Sequence, residues 1–88
     1  MPVAKHASHP KIIHRLKRLD GHLRSIVTML EEGRSCLDLS QQLHAVEKAV
    51  GNAKRELIHD HIEHCLEDGT GSDGKSSLKE LKQLTKYL

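Results

Sequence analysis

Aromatic side chains are almost missing from this chain: it has no Trp and no Phe, and Tyr87 is its only ring of that kind. The core of an 88-residue protein must then come mainly from Leu, Ile, Val and Ala. A chain this short buries a modest fraction of its surface, so the core is expected to be completed by oligomerisation. The N-terminal "MPVAKHASHPKII" has no long apolar run. Neither a signal peptide nor a membrane span is expected from it, and the expected compartment is the cytoplasm. Cysteine is scarce too, with only Cys36 and Cys65. Where thiols stay reduced, such a pair is more often metal-binding or reactive than a structural disulfide. An HExxH and a nucleophile–base pair in a recognisable context are both lacking, which argues against an enzyme.

Charge of one sign is lacking locally rather than overall. Residues 1–24 hold Lys5, Lys11, Arg15, Lys17, Arg18 and Arg24 against Asp20 alone, whereas residues 56–73 hold six carboxylates and no Lys or Arg. The net charge of +2 hides this polarity. It suggests a basic face for an anionic partner and an acidic end that avoids it. The plainer reading is a solvated helix whose charges only keep the protein soluble.

What is present is helical periodicity. Ile12, Ile13, Leu16, Leu19, Leu23, Ile26, Val27 and Leu30 recur at helical spacing, and Gly33 follows as a stop signal. Ser35 is an N-cap for a second helix, with Asp38 in its first turn. Leu39, Leu43, Val46, Val50, Ala53 and Leu57 then alternate steps of four and three, a heptad pattern for a helix packed lengthwise on another. "EDGTGSDGKSS" reads as a linker, and "SLKELKQLTKYL" as a short amphipathic helix with Leu78, Leu81, Leu84 and Leu88 inward. The expected fold is all-α, with helices over about 10–32, 35–66 and 76–87. Residues 1–9 form a flexible histidine-containing tail and residues 10–88 a single domain.

"IHDHIEHCLED" concentrates three histidines and a cysteine at the end of the second helix. At 100° per residue, Cys36 and His61 lie about seven turns apart on one face, and Cys65 follows His61 at i+4. His59 points to the far side and His64 sits on the flank. Along a continuous helix Cys36 and His61 are roughly 37 Å apart, so one chain cannot bring them to one ion. Two antiparallel copies can, with Cys36 of one beside His61 and Cys65 of the other, giving two symmetric sites. Two thiolates and an imidazole suit Cu(I). Zn(II) would want a fourth ligand, such as His64 or water. Ni(II) or Co(II) would want further nitrogen or oxygen donors, for which His6, His9 or the amine of Pro2 are available. The plain alternative is that both cysteines are small core residues and the histidines face solvent.

The segments "RLKRLDGHLRSIVTMLEEGRSC", "QQLHAVEKAV" and "HDHIEHC" resemble the copper-sensing repressors (CsoR), within a wider group that includes nickel/cobalt and formaldehyde sensors. The resemblance runs from about Ile12 to the end, and the Cys36, His61, Cys65 spacing matches the group's copper fingerprint. It implies a homodimer assembling to a homotetramer on an antiparallel four-helix bundle. It also implies a repressor that binds operator DNA when metal-free and is released by metal. By match, Arg15 and Arg55 contact DNA, with Lys17, Arg18 and Lys54 as neighbours, and Glu80 is an outer partner of His61. Two features depart from the pattern. Ser35 stands where many copper members have tyrosine, and the histidine-rich tail is more typical of nickel or cobalt readers, with Ala4 nearest their ligand position and His6 two residues away. Pro2 with Cys36 is similar to the formaldehyde-sensing branch, although that chemistry does not need Cys65.

The expected function is therefore a Cu(I)-released repressor, with a nickel/cobalt-responsive repressor next. Two other classes compete. A metal buffer would have no use for the basic first helix, and a thiol or formaldehyde sensor would have no use for His61.

Overall fold

The computed structural model describes residues 8–67 and 74–88, with the side chains of 65–67 and 74–77 left out of that description. Three helices follow one another: α1 (His9–Glu31), α2 (Cys36–Glu67) and α3 (Gly74–Leu84), the last continued by a 3₁₀ turn at Thr85–Tyr87. The described residues contain no strand. These bounds differ from the expected ones by one to three residues. Residues 1–7 of the tail, with Pro2, Ala4 and His6, lie outside the described residues, while His9, expected in the tail, is the first residue of α1.

Local chemistry sets the helix ends. Gly33 has φ +74°, and around it the Gly33 N–H donates to the Leu30 carbonyl at 3.1 Å and the Arg34 N–H to the Met29 carbonyl at 3.0 Å. This double reversal closes α1 and satisfies its last carbonyls. Two residues on, the Asp38 N–H donates to Ser35 Oγ at 3.1 Å, so Ser35 caps α2 as its side chain suggests. An L side chain at position 33 would have open space but would be held in the left-handed region. Gly33→Ala is thus expected to cost about 1–2 kcal/mol of stability, read by urea unfolding, with no change in helix content.

α1 and α2 form an antiparallel hairpin. Ile12, Leu19 and Ile26 on α1 meet Leu39, Val46 and Ala53 on α2, with Ile58 buried beyond them. Each set is a strict seven-residue row. The single heptad pattern of α2 therefore resolves into two rows with different fates. Leu39, Val46 and Ala53 are buried against α1, whereas Leu43, Val50 and Leu57 are 43–48 % exposed. α1 divides in the same way, leaving Leu16, Leu23, Val27 and Leu30 open.

A helix advances 40° over four residues beyond a full turn. In an antiparallel pair that step carries the open rows of both helices to the same side of the hairpin, and this chain leaves that apolar face bare. Polar residues occupy the other side, where Ser8 Oγ donates to Asp60 Oδ2 at 2.6 Å. On the same side Arg15 pairs with Glu56, and His22 Nε2 lies 2.6 Å from Gln42 Oε1.

α3 corrects one expectation. Leu81 and Leu84 are half-buried, but Leu78 and Leu88 are 68 % and 61 % exposed. The hairpin of one chain offers α3 only the end of α2 to lie on, so half of its leucines have nothing to cover them.

Candidate functional site

The end of the hairpin formed by the start of α1 and the last turns of α2 holds Asp60, His61 and His64, with Glu80 reaching in from α3. α3 folds back onto this end, bringing Glu80 Oε1 to 2.8 Å from His61 Nε2. That nitrogen is shut off from solvent, and the pair has ion-pair distance without hydrogen-bond alignment. A carboxylate beside one ring nitrogen is the arrangement that orients a metal-binding imidazole. Immediately before His61 in the chain, Asp60 receives the Ser8 hydroxyl at 2.6 Å and has His64 Nε2 at 3.5 Å from its other oxygen. Its carboxylate also faces the first turn of α1, where the positive end of the helix dipole favours it. His59 is exposed.

Cys36 stands at the far end of the same unbroken helix, exposed and with a free thiol. Among the described residues no three His, Cys, Asp or Glu side chains converge on one point, and 25 residues of helix separate Cys36 from His61. The backbone of Cys65 belongs to α2, while its side chain lies outside the described residues. Counting 100° per residue from the buried row of α2, positions 36, 61 and 65 all fall toward the bare apolar face. One chain thus carries half a ligand set at each end of that face.

The basic residues lie elsewhere. Arg15, Arg18 and His22 of α1, with Asn52 of α2, line a groove of about 510 Å³ floored by Leu19 and Ala49. Asn52 Oδ1 accepts a hydrogen bond from Arg55 Nη2 at 2.6 Å. The Arg55 guanidinium also lies over Gly51, within 3.6 Å of where a Cβ would sit. Lys17, Arg18, Lys54 and Arg55 are exposed, and Arg15 is half-buried. The groove is on the polar side of the hairpin, opposite the apolar face.

Sequence reasoning placed neither Asp60 nor Glu56 nor Asn52 in a site. The available signal was register. Ser8, Arg15 and His22 are seven apart and each sits four residues before a buried position of α1, which makes them the polar flank of the packing row. His14 and His44 are exposed, the latter 3.7 Å from Glu47. No helix of the described residues is long and apolar enough to cross a membrane.

Comparison with known proteins agrees with this architecture. Residues 8–87 match the family described as metal-sensitive transcriptional repressor. The copper-sensing transcriptional repressor CsoR of Bacillus subtilis (strain 168) is 39% identical over 77 residues, covering 86% of this chain and 76% of that protein. CsoR of Mycobacterium tuberculosis (strain ATCC 25618 / H37Rv) is 34% identical over 76 residues, 85% of this chain and 64% of its own length, so the chain spans just under two thirds of the mycobacterial relative. Among solved structures, the nickel-responsive transcriptional regulator InrS superposes with a TM-score of 0.81 at 30% identity, covering 94% of this chain and 96% of that one. Matched over nearly all of its length and sharing the helical arrangement of such a regulator, the chain belongs to the CsoR family of metal-sensitive transcriptional repressors, which are not enzymes.

Proposed function

We propose that this protein is a repressor that holds operator DNA when metal-free. On this reading it lets go when Cu(I) binds Cys36 of one subunit together with His61 and Cys65 of the partner subunit. The observation that carries this reading is the placement of positions 36, 61 and 65 at opposite ends of one bare apolar face. Packing that face on a second copy, antiparallel, covers Leu43, Val50 and Leu57 and completes a ligand set at each end. A thiolate–imidazole–thiolate set suits Cu(I), which accepts low coordination and soft donors. Glu80 against His61 holds the ring in register and links the site to α3. Pairs of such dimers would form the homotetramer.

DNA binding then belongs to the opposite side. Arg15 and Arg18, with Arg55 beside them, face the groove, and Lys17 and Lys54 extend the positive surface. Contacts of this kind are mostly to phosphates, so affinity should fall steeply with salt. With no recognition helix among the described residues, sequence is read partly through duplex shape. Metal locks the ends of α2 across the dimer and favours an assembly whose basic grooves no longer fit the duplex, a population shift set by differential metal affinity.

The test is an anisotropy titration of the duplex from upstream of this protein's own gene, run anaerobically with buffered free metal. Cu(I) is expected to weaken binding about 5- to 150-fold, the usual range of allosteric coupling. Cys36→Ala should bind the DNA as wild type does and not release it; if that variant fails to bind DNA, the division between metal site and DNA face is wrong. The likeness to the nickel-responsive regulator InrS favours a second reading, in which Ni(II) or Co(II) is held with help from His6 or the amine of Pro2. Release by Ni(II) at lower free concentration than Cu(I) would select it. A thiol or formaldehyde sensor would instead respond fully as His61→Ala.

A further inference from the structure

Arg15 is the one groove-lining cation with an acidic partner among the ion pairs of the described residues. The carboxylate of Glu56 reaches across from α2 and takes Nη1 of its guanidinium. Arg18, in the same lining, is exposed and has no such partner given to it by the hairpin register. The pair joins α1 to α2 through full charges of opposite sign.

We propose that Glu56 is a specificity-determining residue, an internal competitor that occupies Arg15 and must yield it to a DNA phosphate. The inference rests on the DNA-binding reading above and adds to it a residue that opposes binding. A guanidinium has five N–H donors, so a phosphate can approach Arg15 while Glu56 still holds one edge. It then meets a cation already half-neutralised and a second anion at close range, and the two anions repel. A phosphate contact carries no base information, so what differs between duplexes is whether Arg15 gives up Glu56 for it at all. A duplex that fits the groove engages Arg18 and Arg55 in the same step and offsets the lost ion pair. One that fits poorly has fewer contacts with which to do so. Glu56 therefore holds down non-specific binding more than cognate binding.

The experiment compares metal-free full-length wild type, Glu56→Gln, Glu56→Asp, Arg15→Gln and the Glu56→Gln/Arg15→Gln pair. Each is titrated at several KCl concentrations against the duplex from upstream of its own gene and an unrelated duplex of equal length. Glu56→Gln should tighten the unrelated duplex about tenfold and the cognate one about threefold, and steepen the salt dependence by about 0.9 in log–log slope, the value of one added phosphate contact. Glu56→Asp keeps the charge but withdraws it by one methylene, so a smaller gain in the same order is expected and covers a glutamine variant that folds poorly. On the Arg15→Gln background the Glu56 substitution should do nothing. Unchanged or weaker binding with an unchanged slope overturns the proposal while leaving the repressor reading intact. A gain that persists without Arg15 also overturns it, since the effect would then be diffuse charge. Wild type that binds neither duplex would sink the repressor reading itself.

Discussion

Val50→Glu should reduce the protein to single hairpins. Val50 is the middle member of the open row Leu43–Val50–Leu57 and is 46 % exposed in one chain. Within the hairpin the substitution is nearly silent, because the side chain already faces away from the buried row Leu39, Val46 and Ala53. In an antiparallel pair of hairpins it lies near the twofold axis, so each dimer would bury two carboxylates close together. An unpaired buried charge of this kind costs at least about 3 kcal/mol even after relaxation, enough to raise the dissociation constant more than about a hundredfold. Sedimentation velocity reads the mass directly. The same variant should lose tight Cu(I) binding and DNA binding together, because both need the assembly. Lys48→Glu, on the exposed polar side of α2, changes charge by more and should leave the mass unaltered. A Val50→Glu protein that sediments as wild type does would mean that the bare face is covered by something other than a second copy.

The contrast between those two positions also shows how far the sequence could be read. Helix ends were legible because they are local: Gly33 supplies the positive φ and Ser35 the cap, and each acts within four residues of itself. The heptad pattern of α2 was legible as apolar positions but not as two surfaces. Leu39 and Leu43 look alike in a sequence, and only the presence of α1 on one side separates them. The same ambiguity misplaced Leu78 and Leu88, which are amphipathic in pattern but have no surface of their own chain to meet. At the site, the phase of Cys36, His61 and Cys65 could be counted along one helix. The approach of Glu80 to His61 came from family resemblance rather than spacing, since it depends on the path of the chain between α2 and α3. Asp60, Glu56 and Asn52 were missed because a polar residue flanking a packing row looks like any solvated one until its partner on the other helix is known.

A site divided between subunits makes a sharper prediction than any single substitution. Take one chain carrying Cys36→Ala and another carrying both His61→Ala and Cys65→Ala, each with a different affinity tag. Alone, neither can complete a ligand set in a homodimer, and each should bind Cu(I) no better than a weak exposed thiol. In the mixed dimer, one end pairs the missing cysteine with the missing histidine and stays dead. The other end brings an intact Cys36 to an intact His61 and Cys65. About one tight site per mixed dimer is therefore expected, against about two in the wild-type dimer, from two partners that have none. Restoration requires that the ligands come from opposite ends of α2 in different chains, because within one chain those ends are separated by roughly 37 Å of continuous helix. A metal site built within a single subunit, from His61, Cys65 and residues near them, would instead survive in the Cys36→Ala homodimer and gain nothing on mixing. Purification through both tags followed by Cu(I) competition with a chromophoric chelator separates the two results, and the charge-transfer absorption of the thiolates reports whether Cys36 has joined the set.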